Sequence, residues 1–134
     1  MKSILHRDIK PENVVFANQS VLDEPVLVDL GFATYKQDYK LLFSRCGTPG
    51  HVAPEVLHDR EYHTNADVYS LGIMLYMMAT KANPFEHSNY DILIQNNLSG
   101  EVDTSLLLQP PYNFSPRGSS MLISYRAYCS DADR

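Results

Sequence analysis

Residues 6–13 read His6-Arg7-Asp8-Ile9-Lys10-Pro11-Glu12-Asn13, and Asp29-Leu30-Gly31 begins sixteen positions after Asn13. These types at this spacing bring together a base, a cation and two hard oxygen ligands. Asp8 can accept a hydroxyl proton. Lys10 can face a phosphoryl group in transfer. Asn13 and Asp29 offer the oxygen donors that magnesium prefers. Phosphoryl transfer from ATP needs such a set, because positioning and charge neutralisation do most of the catalytic work. Each residue has a plainer role open to it. Asp8 could be a solvated or capping aspartate, Asn13 a turn former, and Asp29 the end of a strand. The full eight-residue string makes those the poorer readings.

The elements that must hold these groups follow from the pattern around them. Asn13–Phe16 and Val26–Asp29 are β-branched and apolar, which predicts two short strands joined through Ala17–Pro25. A hairpin returns the chain, so it can bring Asn13 and Asp29 together. Residues 1–5 read as the end of a helix or its exit loop. Asp29–Glu55 has little periodicity and is longer than an ordinary connection, which marks a functional or mobile loop. A short helix is predicted over Pro54–His58. Thr64-Asn65-Ala66-Asp67 resembles a capping box that opens a helix over Ala66–Thr80. That helix is apolar nearly all round, so it is expected to be buried. A further helix is predicted over Ser88–Asn97, closed by Gly100. Gly100–Asn113 reads as loop, and Ser115-Pro116 starts a last helix running to Tyr128.

Further motifs carry a family resemblance. Cys46-Gly47-Thr48-Pro49 with Ala53-Pro54-Glu55, Asp67-Val68-Tyr69-Ser70-Leu71-Gly72, and Asn83-Pro84-Phe85 follow the opening string in order. Across residues 6–85 the chain resembles the C-terminal lobe of a eukaryotic-type protein kinase of the Ser/Thr class. Cys46–Leu57 and Asn83-Pro84-Phe85 are most similar to the calcium/calmodulin-dependent group. The resemblance implies a mainly α fold with a small β-hairpin. It makes residues 1–134 a partial kinase domain, from the catalytic loop to near the penultimate helices.

The resemblance also implies roles. Asp8 is the catalytic base, and Lys10 neutralises the transferring group and goes with Ser/Thr acceptors. Asn13 and Asp29 hold two magnesium ions on ATP, and Glu12 touches nucleotide or peptide. Arg7 pairs with a phosphate on the activation segment, with Ser44 the matching phosphosite and an upstream activating kinase its source. Thr48 binds Asp8 and Lys10 through its hydroxyl. Asp67 holds the backbone of the catalytic loop, and Glu55 pairs with Arg134. His6 is a packing and backbone-bonding residue rather than an acid or base. Leu30 stands where the family commonly has phenylalanine and is expected to pack similarly. His51 stands where it commonly has tyrosine.

Composition bounds the partners. A net charge of −5 argues against nucleic acid. The longest apolar stretch, Val68–Ala79, is too short and interrupted to span a bilayer, and the N-terminus lacks the apolar run of a signal peptide. Cys46 and Cys129 suggest neither a disulfide framework nor a zinc site. Reduced thiols and a cytoplasmic or nuclear location are the expectation, with proteins as the substrates that the resemblance implies.

These 134 residues contain no Gly-rich phosphate loop and no lysine of the type that grips ATP from an N-terminal lobe. The expectation is a C-lobe with little or no activity by itself. A non-catalytic binding or regulatory module is the competing class. Joint retention of Asp8, Lys10, Asn13 and Asp29 weighs against it, since a binding surface has no chemical need for all four.

Overall fold

A computed structural model describes residues 3–17, 24–38, 45–58 and 63–108. The first strand, β1 (Ile4–Leu5), stands where the sequence suggested a helix exit. It pairs antiparallel with β4 (Thr34–Tyr35), with Ile4 opposite Tyr35 and Leu5 opposite Thr34. That partner lies inside the stretch expected to be loop. A two-residue strand has no readable alternation, and its pairing comes from distant sequence.

The expected hairpin forms from β2 (Val14–Phe16) and β3 (Pro25–Leu27), with Val15 opposite Val26. Asn13 ends a one-turn 3-10 helix (Pro11–Asn13) instead of starting the strand. Pro11 suits the first position of that turn, where no N–H is required. Among the described residues the strands form two short ribbons, and helices carry most of the regular structure.

The helices are α1 (Pro54–Leu57), α2 (Asn65–Thr80) and α3 (Tyr90–Ser99). Thr64 makes no side-chain cap on α2, so the capping box is a correction: the Asp67 carboxylate is engaged elsewhere, as described below. Asn89 caps α3 by accepting from the N–H groups of Asp91 and Ile92 at 2.8 and 3.3 Å. Gly100 closes α3 in the left-handed conformation. A 3-10 turn (Ser105–Leu108) sits within the predicted loop, packs against α2 and buries Leu107 completely.

The core gathers Leu5, Val52, Ala53, Val56, Ala66, Tyr69, Ile73 and Phe85. Ala66, Tyr69 and Ile73 recur at three- and four-residue steps, the inward stripe of α2. Its opposite stripe, Val68, Leu71, Leu75 and Met78, is 36–68% exposed, so α2 is half-buried among the described residues rather than enclosed. The predicted helix over Ser115–Tyr128, Cys129, Ser44 and Arg134 lie outside the described residues.

Candidate active site

The loop after β1 is shaped by one carboxylate. Asp67, in the first turn of α2, accepts from the backbone N–H of His6 at 2.7 Å and of Arg7 at 2.8 Å. Arg7 has φ +69°, a region that non-glycine residues seldom adopt. Such a conformation persists when its surroundings over-determine it, and here they do. Arg7 Nε donates to the Phe32 carbonyl. Gly47, itself at φ +95°, lies so close that a Cβ there would be 2.5 Å from the Arg7 carbonyl oxygen. His6 is buried, with Nδ1 accepting from the Asp8 N–H at 3.4 Å and Nε2 facing the Val28 carbonyl at 3.1 Å. One neutral tautomer, protonated on Nε2, satisfies both contacts.

Asp8 is only 4% exposed, yet its carboxylate is fully engaged. The Thr48 hydroxyl donates to Oδ1 at 2.7 Å. Lys10 Nζ lies 2.9 Å from Oδ2, and Asn13 Nδ2 reaches the same oxygen at 3.1 Å. Lys10 Nζ also donates to the Thr48 hydroxyl oxygen at 2.7 Å, closing a triangle of carboxylate, alcohol and ammonium. Burial pushes the Asp8 carboxyl up. The Thr48 hydroxyl, the Lys10 ammonium and the Asn13 amide outweigh it and hold Asp8 below the usual carboxylate range.

Asn13 is buried, and its Nδ2 also donates to the Asp8 carbonyl at 2.8 Å. Its own carbonyl accepts from the Val28 N–H at 2.9 Å. That bond brings Asn13 beside the residue preceding Asp29. Asp29 is exposed at φ +62°, and its Oδ1 accepts from the Gly31 N–H at 3.1 Å. Asn13 Oδ1 stays outside the bonds that occupy Nδ2. An amide oxygen and a carboxylate, drawn together by the hairpin, are donors a magnesium ion accepts, and a nucleotide's phosphates and water can fill the other positions. Among the described residues no three His, Cys, Asp or Glu side chains cluster as a metal site.

Other singled-out residues sit as follows. Glu12 is exposed beside this group. Leu30 is 67% exposed, against the expectation that it packs, because nothing among the described residues covers it. Burial raises the Glu55 carboxyl above its ordinary value. His51 is 8% exposed and neither ring nitrogen has a hydrogen-bond partner among the described residues. Burial lowers its pKa, against opposing fields from Glu12 and Asp8, and the Pro49 carbonyl lies near the ring without completing a bond. Asn83, which opens the Asn83-Pro84-Phe85 motif, and Asn97, which no motif flagged, hold the backbone around His51. The available signal for Asn97 was a polar residue at an inward position of α3.

Comparison with known proteins agrees with this geometry. A family model described as the protein kinase domain matches residues 1–130. A cAMP-dependent protein kinase type 3 of Saccharomyces cerevisiae is 34% identical over 121 residues, covering 90% of this chain and 28% of that protein. CBL-interacting protein kinase 24 of Oryza sativa subsp. japonica is 36% identical, covering 90% and 25%. A calcium/calmodulin-dependent protein kinase type 1 of Caenorhabditis elegans is 34% identical, covering 75% and 28%. The chain spans about a quarter of the length of these curated relatives. With its catalytic-loop string on one side of a Thr48–Asp8–Lys10 triangle and a match over nearly its whole length, the chain belongs to the protein kinase family.

Proposed function

We propose that these residues form the C-terminal lobe of an ATP-dependent protein serine/threonine kinase. Asp8 orients the acceptor hydroxyl and takes its proton as the oxygen attacks. A carboxyl held below its usual range stays ionised at neutral pH, so it contributes through position more than through strong basicity. Lys10 offsets negative charge on the group in transfer. Asn13 Oδ1 and the Asp29 carboxylate would hold magnesium, which neutralises the nucleotide's phosphates when bound.

The observation that carries this proposal is the Thr48 hydroxyl. An alcohol already donates to Asp8 at 2.7 Å, and the Lys10 ammonium reaches that same alcohol oxygen at 2.7 Å. A serine or threonine acceptor asks for the same two partners. A phosphate on Ser44, placed by an upstream kinase, would pair with the Arg7 guanidinium and order the segment between them. We assign the Ser/Thr class and no narrower group. The calcium/calmodulin-dependent relative and the cAMP-dependent one match at the same 34% identity.

The 134 residues alone transfer little or no phosphate, since they include no Gly-rich loop to hold the nucleotide from above. The test is radiolabel transfer from ATP with magnesium to casein. It compares the purified chain with a chimera carrying the N-terminal lobe of the yeast relative. The chain is expected at background, and the chimera to label casein in a manner abolished by Asp8→Ala. A folded chimera without transfer would favour the binding-module alternative. Robust labelling by the chain alone would overturn the claim of inactivity.

A further inference from the structure

Thr48 is followed by a tight turn. The N–H groups of His51 and Val52 both donate to the Thr48 carbonyl, at 3.0 and 3.3 Å. Three further backbone groups of this turn go to two side-chain amides. Asn97 is fully buried on α3. Its Oδ1 accepts from the Gly50 N–H at 2.8 Å, and its Nδ2 donates to the Val52 carbonyl at 2.9 Å. Asn83, in the turn after α2, donates from Nδ2 to the Gly50 carbonyl at 3.1 Å. Its own Oδ1 accepts from the Phe85 N–H at 2.9 Å, which fixes the amide's orientation. Gly50 has φ +87°, and a Cβ there would come 2.9 Å from Asn83 Nδ2. Both polar groups of Gly50 are thus bonded by side chains from two separate elements.

An asparagine is an expensive way to fill a helix's inner face. It has poor helix propensity and must be desolvated, and an apolar residue would pack without either cost. What an amide adds is one acceptor and one donor in a single rigid plane. That matches an N–H and a carbonyl two residues apart. The bonds continue to the chemistry. Asn97 fixes Gly50 and Val52, their turn fixes the Thr48 carbonyl, and the Thr48 hydroxyl meets Asp8 and Lys10.

We propose that Asn97, supported by Asn83, is a positioning residue that sets the turn after Thr48, taken here as the surface that receives the acceptor peptide, against Asp8 and Lys10. The catalytic part of this statement rests on the kinase function proposed above, while the positioning part stands on the geometry. Two measurements separate them. The first is amide hydrogen exchange in the full chain, comparing Asn97→Ala with the exposed control Gln95→Ala. Losing a buried hydrogen bond should lower Gly50 protection about tenfold. The His51 and Val52 amides, which Asn97 does not bond, should fall with it while α2 amides keep parental protection. Unchanged His51 and Val52 amides, or an equal fall throughout α2, would overturn the positioning claim.

The second measurement uses the phosphorylating chimera with a serine-containing peptide. Asn97→Ala should raise the peptide KM about tenfold with the ATP KM unchanged. An equal rise in both would overturn the claim. If the chimera transfers no phosphate, the proposed function fails and the exchange result alone decides the positioning claim. Should Asn97→Ala fail to fold, Asn83→Ala, which removes the bonds to the Gly50 carbonyl and from the Phe85 N–H and leaves the Asn97 bonds in place, is read by the same criteria.

Discussion

Replacing Asp67 distinguishes two roles for a carboxylate at a helix start. If it merely supported the first turn of α2, its loss would cost about 1 kcal/mol, the usual value of a cap. The structure gives it a different task. Each oxygen accepts one backbone N–H from the loop that carries Asp8, at 2.7 and 2.8 Å, across a sequence separation of 61 and 60 residues. Hydrogen bonds to a charged acceptor contribute about 1.5–3 kcal/mol each. Partial burial lets water recover some of that, so Asp67→Ala should destabilise the chain by about 3 kcal/mol. Asp67→Asn keeps one acceptor oxygen and turns an NH₂ toward the other donor, and should cost about 2 kcal/mol. Thr64→Ala should be nearly neutral, because Thr64 makes no side-chain cap bond. Urea denaturation followed by circular dichroism measures all three, with amide exchange at His6 and Arg7 as the local reporter. A domain stable by about 5–15 kcal/mol loses a visible share of that stability. The reasoning fails if Asp67→Ala lies within about 0.5 kcal/mol of the parent, a margin expected of a neutral surface change. It also fails if Thr64→Ala costs as much.

Two further outcomes follow from the same region. Gly47→Ala should destabilise by at least about 2 kcal/mol, since positive φ alone costs a side chain about 1–2 kcal/mol and its Cβ would lie 2.5 Å from the Arg7 carbonyl oxygen and from Val52 Cγ1. A urea midpoint equal to the parent's would refute the close approach. His51 supplies a pH dependence. Burial depresses its folded pKa below the ordinary value of 6.5, so its contribution is intact above that pH and is lost as pH falls through the folded pKa. Asp8 also loses its contribution on acidification, but only below the ordinary carboxylate value of 3.8. Glu55 runs the other way, because its raised pKa favours the fold at low pH and loses that contribution as pH rises. His51→Phe should therefore flatten the stability slope as pH falls below 6.5, and an unchanged slope there would refute it.

The parts of the site that could be read from sequence are those in which a residue type has a fixed chemical use. Asp8, Lys10, Asn13 and Asp29 stood out as candidates because the proposed phosphate chemistry asks for a base, a cation and oxygen donors near one another, and Lys10 and Asn13 do lie against the Asp8 carboxylate. Their hairpin was legible too: Asn13–Phe16 and Val26–Asp29 read as β-branched and apolar on either side of a turn-rich stretch, and the strands form at Val14–Phe16 and Pro25–Leu27. The helices α2 and α3 came through to within two residues at each end, from an apolar run and from Gly100 as a stop, while the Asn89 cap was not read. What stayed hidden is what depends on partners far along the chain. β1 and β4 are two residues each, and neither has a pattern until the other is beside it. The Thr64–Asp67 spacing satisfied a local rule, yet Asp67 bonds a loop some sixty residues earlier. Asn97 carries no motif. It is a polar residue at a core position, and only the position of Gly50 and Val52 shows why an amide belongs there. Local conflicts of this kind are where the chemistry of a fold overrides its propensities. In this chain the conflict falls on the turn that holds Thr48 against Asp8. Asn97 is therefore the substitution whose effect should depart furthest from what α3, taken as an isolated amphipathic helix, would predict.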